Sequence, residues 1–168
     1  MSAGLLDEFE LMMNVGLGAE TIYSFVNAFQ AVVAKSEDAT TMWHLGTVLP
    51  LAYHETSRRA ISKRQLRSGL RSILDRDPAN DIAQGEAVFN LPRRIRLMYP
   101  RTKRAINFAI YTRLIVVEDG VFLPTSTSRS VPFKGEVNDI ARAAAKLGTW
   151  AGQLTAFEYF TILGVRIG

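Results

Sequence analysis

Apolar residues recur along this chain at two different periods, and the switches between them outline its elements. Ile22, Phe25, Val26, Phe29 and Val33 follow i, i+3, i+4, i+7 spacing, which predicts a helix over 19–35 with one buried face. The stretch from Asn14 to Gly18 reads as a break before it, and 36–41 as a polar loop. Residues 42–54, MWHLGTVLPLAYH, are apolar nearly all round. They predict a buried segment that kinks or ends early at Pro50, which has no N–H to donate. Ser62 is a candidate N-cap for a helix over 63–76. Its buried stripe is Leu66, Leu70, Ile73 and Leu74, with Arg64, Arg67 and Arg71 as a separate basic ridge. Asn80 or Asp81 can cap a further helix to Leu97, carrying Ile82, Val88, Phe89 and Leu91 and interrupted at Pro92.

The rest of the chain is organised around residues 100–124, PRTKRAINFAIYTRLIVVEDGVFLP. Pro100 suits the first turn of a helix, where its preset φ helps and its missing N–H is not needed. Ile106, Ala109, Ile110 and Leu114 form an apolar stripe, with Arg101, Lys103, Arg104 and Asn107 largely on the other faces. After Arg113 the period becomes that of a strand: 114–117 is a branched apolar run, 118–120 a turn, and 121–123 the return strand. A helix that runs into a hairpin is the end of a winged helix-turn-helix unit. Beyond it come a Ser/Thr-rich loop over 125–132 and an alanine-rich helix over 135–147 that Gly148 stops. A turn over 150–153 and an apolar helix over 156–163 follow. The expected fold is mainly α with one β-hairpin (α+β), a winged helix-turn-helix-like core with additional N- and C-terminal helices. The expected organisation is a single domain over 1–168: an N-terminal helical part (14–57), basic helices with the winged hairpin (58–124), and C-terminal helices (133–168).

Composition narrows the chemistry. There are 168 residues, 48% of them hydrophobic, enough for a core of their own, and no cysteine, which removes thiolate metal sites, disulfides and cysteine nucleophiles. The two histidines, His44 and His54, have no third ligand at useful spacing and read as structural. The N-terminus is acidic and lacks a signal-peptide pattern, and residues 42–53 are too short to span a bilayer. A cytoplasmic protein without a membrane partner is expected. No P-loop, His-Glu-x-x-His, hydrolase triad or paired-carboxylate site stands out. No catalytic residue, cofactor or metal is therefore assigned, and the chain is not expected to be an enzyme.

Charge changes the picture more than composition does. Residues 1–57 carry one lysine against seven acids, a net of −6; residues 58–113 carry fourteen Lys/Arg against four acids, a net of +10; the remainder balances. A one-signed middle segment points to a polyanion or an acidic protein partner. In a helix-turn-helix the second helix enters the major groove, and Arg101, Lys103, Arg104 and Asn107 occupy positions suited to phosphates and base edges. The acids Glu118 and Asp119 at the hairpin tip oppose insertion of that wing beside phosphates. Arg64, Arg67 and Arg71 are candidates for the same DNA or acidic-partner contact. In the acidic N-terminal segment Leu5, Leu6, Phe9, Met12 and Met13 are candidate partner-interface anchors; Phe157, Tyr159 and Phe160 at the other end read better as core.

Several stretches resemble one family, the middle component of bacterial three-component ABC systems. They are Asn14-Val-Gly-Leu-Gly-Ala19 with the Phe25/Phe29 helix, Val48-Leu-Pro-Leu-Ala-Tyr-His54, Ser57-Arg-Arg-Ala-Ile61 and the helix-then-hairpin of Arg104 to Leu123. Ala145-Lys-Leu-Gly-Thr-Trp150 and the terminal Leu163-Gly-Val-Arg166 complete the set. Val15 stands where many members of the family have proline. The resemblance implies a non-catalytic adaptor joining an SMC-like ABC ATPase to an effector of nuclease or protease class, in defence against phage and plasmids. Non-specific DNA contact through the basic helices accompanies that expectation. The alternative from a different class is a free-standing winged-helix transcriptional regulator, which would dimerise and prefer particular sequences.

Overall fold

The computed structural model describes residues 14–33, 39–125 and 134–167. The N-terminal anchors Leu5, Leu6, Phe9, Met12 and Met13 fall outside them, as do 36–38 of the loop expected at 36–41 and 126–132 of the loop expected at 125–132. The architecture is mainly helical with a two-stranded antiparallel hairpin. Asn14 does not break a helix but begins one. Its side chain accepts the Leu17 amide at 3.1 Å, as an N-cap does, and α1 (Val15–Val32) takes Gly16 and Gly18 inside itself. Ile22, Phe25, Val26 and Phe29 are its buried stripe. It is the central rod of the fold.

Residues 42–54 hold one helix and the cap of the next. Thr41 and His44 form a capping box that starts α2 (Met42–Ala52), and Pro50 is accommodated inside it. After Tyr53 the His54 side chain accepts the Ser57 amide and starts α3 (Glu55–Lys63). The helix expected over 63–76 does not form. Ser62 lies near the end of α3, and the chain goes on through short 3-10 turns at Leu66–Ser68, Leu70–Leu74, Pro78–Asn80 and Glu86–Val88. The cause is long-range. Lys146 donates to the carbonyls of Ile61, Ser62 and Arg64, and the Trp150 indole donates to Leu66 O at 2.7 Å. These bonds take the carbonyls that a continuing helix would use.

The two helices expected on either side of Pro100 are one, α4 (Leu91–Tyr111). Pro92 lies in its first turn, where no N–H is required, and is not an interruption. Pro100 is internal and not a start. It faces solvent, so the Arg96 carbonyl it leaves unpaired is on the wet side of the helix. Strands β1 (Ile115–Glu118) and β2 (Val121–Pro124) follow, with Glu118 opposite Val121. Both turn residues between them have positive φ, Asp119 at 52° and Gly120 at 76°, the conformation that matches strand twist in a two-residue hairpin. Phe122 is buried, and its amide donates to Thr40 O.

Gly148 does not end a helix. It lies inside α5 (Glu136–Gly152), whose last turn replaces the turn expected over 150–153. A Cβ on Gly148 would overlap the Phe25 carbonyl of α1, and one on Gly152 would come 2.6 Å from Val32 Cγ2. Two glycines one turn apart let α1 and α5 touch backbone to backbone. Helix α6 (Ala156–Leu163) runs where the sequence places it, capped by Thr155 and closed by Gly164 at φ 69°. Tyr159 and Phe160 enter the core and Phe157 is exposed. A buried cluster of Phe29, His44, Tyr159 and Phe160 joins α1, α2 and α6.

Candidate functional site

Helix α4 carries Arg93, Arg94, Arg96, Arg101, Lys103 and Arg104 and no acid. Its buried side is Leu91, Thr102, Ala105, Ile106 and Ala109. The 3.6-residue period therefore turns Arg93, Arg96, Lys103, Arg104 and Asn107 outward, and all five are exposed. Lys103 Nζ lies 5.7 Å from the centre of the Tyr99 ring, within cation–π range. Arg101 is half-buried. With Arg104 it lines a cleft floored by Tyr53 and Leu49 and bounded by Asn14. The four residues singled out on this stretch thus share one helix, three of them on its outer face. Ile110, expected in the apolar stripe, is exposed at 38%.

Arg64, Arg67 and Arg71 are not a helical ridge. The 3-10 turns put them at unrelated angles: Arg64 donates to the Asp75 carbonyl at 3.1 Å and Arg67 to Gln65 Oε1 at 2.6 Å, while Arg71 is exposed. Other cations of the basic segment are structural. Arg58 is buried, donates to the Ala52 and Tyr53 carbonyls, and pairs with Glu136 at 2.9 Å. Arg94 donates to Pro50 O, Ala87 O, Phe89 O and Ser57 Oγ, and burial lowers its pKa.

A second cleft on α4 went unread in the sequence. Phe89, expected within a buried run, is 70% exposed, and Leu97 is 69% exposed. They line a cleft with Arg93, Arg94, His54 and Thr56. The one local signal for it is Asn90-Leu-Pro, which starts a helix after Phe89 and so leaves that ring outside the helical pattern.

The histidines do local work. His54 Nδ1 lies 3.1 Å from Ser57 Oγ, but Ser57 is fully buried and its hydroxyl donates to the Ala87 carbonyl, so the pair presents no nucleophile to solvent. Burial and the cations Arg94 and Arg58 lower the His54 pKa. His44 Nδ1 accepts the Thr41 amide, and burial pushes its pKa down to about 4. Among the described residues no group of three His, Cys, Asp or Glu is placed to hold a metal, and no helix is long and apolar enough to cross a membrane.

A helical chain whose outer helix is basic and acid-free is a fold without a stated task until its relatives are considered. The family model of the ABC-three component (ABC-3C) system Middle Component 3 matches residues 2–167. The chain belongs to this family. No curated protein and no solved structure matches it. As a middle component it is one part of a multi-component ABC system, which implies partner proteins.

Proposed function

We propose that this middle component is a non-catalytic adaptor that joins an SMC-like ABC ATPase to an effector in a bacterial defence complex. The observation that carries the proposal is the match to the middle-component family over residues 2–167. The distribution of charge supports it: a segment of net −6 and one of net +10 suit two different partners. Arg101, Lys103, Arg104 and Asn107 are the residues that contact non-specific DNA in this reading. Salt-dependent phosphate binding needs exposed cations, and Lys103 and Arg104 on α4 supply them. Arg64, Arg67 and Arg71 serve as auxiliary cations.

The second reading, a free-standing winged-helix regulator, is favoured by the direct run of α4 into the β1–β2 hairpin. It requires a dimer matched to two-fold half-sites. Co-expression of the tagged chain with the genes beside its own, followed by native mass spectrometry, separates the two. A defined complex with a large ATPase is expected. A lone symmetric dimer that shifts a particular DNA fragment would overturn the adaptor reading.

A further inference from the structure

The two clefts of α4 lie on the same flank of the helix. Arg93, Leu97, Arg101 and Arg104 follow at i, i+4, i+8 and i+11, so they make one ridge in which an apolar side chain stands between cations. Leu97 belongs to the first cleft, and Arg101 and Arg104 to the second. On the other side His54 lines the first cleft and Tyr53, its chain neighbour, the second. Together they form a groove between α4 and the corner where α2 meets α3. From Arg93 to Arg104 it is about 16 Å long at 1.5 Å per residue, three turns of helix.

The groove is built rigidly. Arg94 at its floor holds the Phe89 carbonyl, the Ala87 carbonyl, the α2 carbonyl of Pro50 and the Ser57 hydroxyl. The backbone beneath the exposed Phe89 ring is thereby anchored, and the exposed Leu97 lines the same cleft. The carboxylate on the rim, Glu86, already accepts the Ala83 amide at 2.7 Å. Two large apolar side chains exposed to water beside arginines gain from being covered by an apolar surface with acids at its edge.

We propose that this groove receives an acidic amphipathic helix from a partner protein of the complex, its apolar side chains between Phe89 and Leu97 and its carboxylates on Arg93 and Arg104. The inference rests on the adaptor reading and gives it a surface and a partner chemistry. An acidic occupant follows from charge complementarity, since Arg93 and Arg104 are exposed on the lining ridge and Glu86, the acid beside them, is turned to the Ala83 amide. A helical one follows from groove length and from the i, i+4 ridge that lines it. Duplex DNA would instead set Phe89 and Leu97 against phosphates and gain nothing from covering them.

The test uses the full chain co-expressed with the ATPase and the third protein encoded beside it, with the photoreactive amino acid p-benzoylphenylalanine at position 97. The adduct should map to a partner peptide with acids at helical spacing. Leu97→Asp, and Arg93→Glu with Arg104→Glu, should each weaken the complex at least tenfold without lowering the Tm of the isolated chain by more than a few degrees. Lysine in place of the cross-linked partner acids should restore binding to the Arg93→Glu/Arg104→Glu chain. A complex that forms at unchanged affinity with these variants overturns the groove and leaves the adaptor standing, as does an adduct on nucleic acid or on residues 1–13 of this same chain. Failure to form any complex overturns the adaptor reading itself.

Discussion

Arg94 of α4 donates to the carbonyl of Pro50 in α2 at 2.6 Å, across 44 residues of sequence. The acceptor is among the last four carbonyls of α2, which have no partner within their own helix. The same guanidinium reaches Ser57 Oγ at 3.1 Å and the carbonyls of Ala87 and Phe89 at 3.2 Å. One side chain therefore ties together α2, α3, the last 3-10 turn and α4. Arg94→Ala strands several half-buried acceptors at once and is expected to cost about 2–4 kcal/mol. Arg94→Lys should recover only a small part, because a point-like ammonium cannot span four acceptors as the planar fork does. Urea unfolding of the two variants measures both values, and a loss below about 0.5 kcal/mol for Arg94→Ala would refute this role.

Two glycines in helix interiors, Gly148 at the contact of α1 with α5 and Gly46 in open space on α2, carry opposite predictions. Gly148→Ala places a methyl on the Phe25 carbonyl, and overpacking of this kind costs about 1–3 kcal/mol or more. In Gly46→Ala, within α2, the new Cβ meets nothing within 4 Å. That change should stabilise by about 0.5–1 kcal/mol through helix propensity and the smaller entropy of the unfolded chain. Thermal melts of the pair should move in opposite directions from wild type.

These residues also show what was legible before the structure. Helix α6 and the hairpin follow from local patterns, a capped apolar run and a two-residue turn, and both lie where the sequence puts them to within a residue. Helix α4 was read as two because each of its prolines looks like a boundary; Pro92 sits in the first turn and Pro100 faces water, so neither needs the N–H it lacks. The stripe of Leu66, Leu70, Ile73 and Leu74 has helical spacing, yet Lys146 and Trp150 claim the carbonyls around it from α5. Gly148 resembles a stop until the proximity of Phe25 is known. Of the candidate site, the shared helix of Arg101, Lys103, Arg104 and Asn107 was legible, since neighbours at i+3 need no tertiary information. The Phe89–Leu97 cleft was not, because Arg94 fixes it through contacts 5 to 44 residues away.

His44 gives stability a pH dependence of known sign. Its ring is packed against Phe29, Tyr159 and Phe160, and burial pushes its pKa down to about 4 from 6.5. Below pH 6.5 the unfolded chain takes up a proton on this residue that the folded chain does not, so stability is full above 6.5 and falls toward pH 4. By linkage the loss reaches about 2 kcal/mol at pH 5. His44→Phe keeps a ring in the cluster and removes the titration. It is expected to be less stable at pH 8, where the capping box is lost, and to decline less between pH 8 and pH 5. Equal declines for the two proteins in denaturant unfolding would show that His44 does not titrate in this window.

The outer face of α4 is where DNA contact can be separated from protein contact. Arg101, Lys103 and Arg104 fall within one turn, and each cation on a phosphate releases counterions, so binding weakens as salt rises with a slope that counts the contacts. Changing all three to alanine should abolish most retention of a random duplex and flatten the slope by roughly two to three. Asn107→Ala should leave the slope unchanged, since an amide displaces no counterion. Lys103 and Arg104 are exposed, so the double variant Lys103→Ala/Arg104→Ala should melt near wild type and serves as the control for folding. Fluorescence anisotropy over a range of salt concentrations measures both quantities. Unchanged retention by the triple variant would remove DNA from this face and leave α4 to protein partners alone.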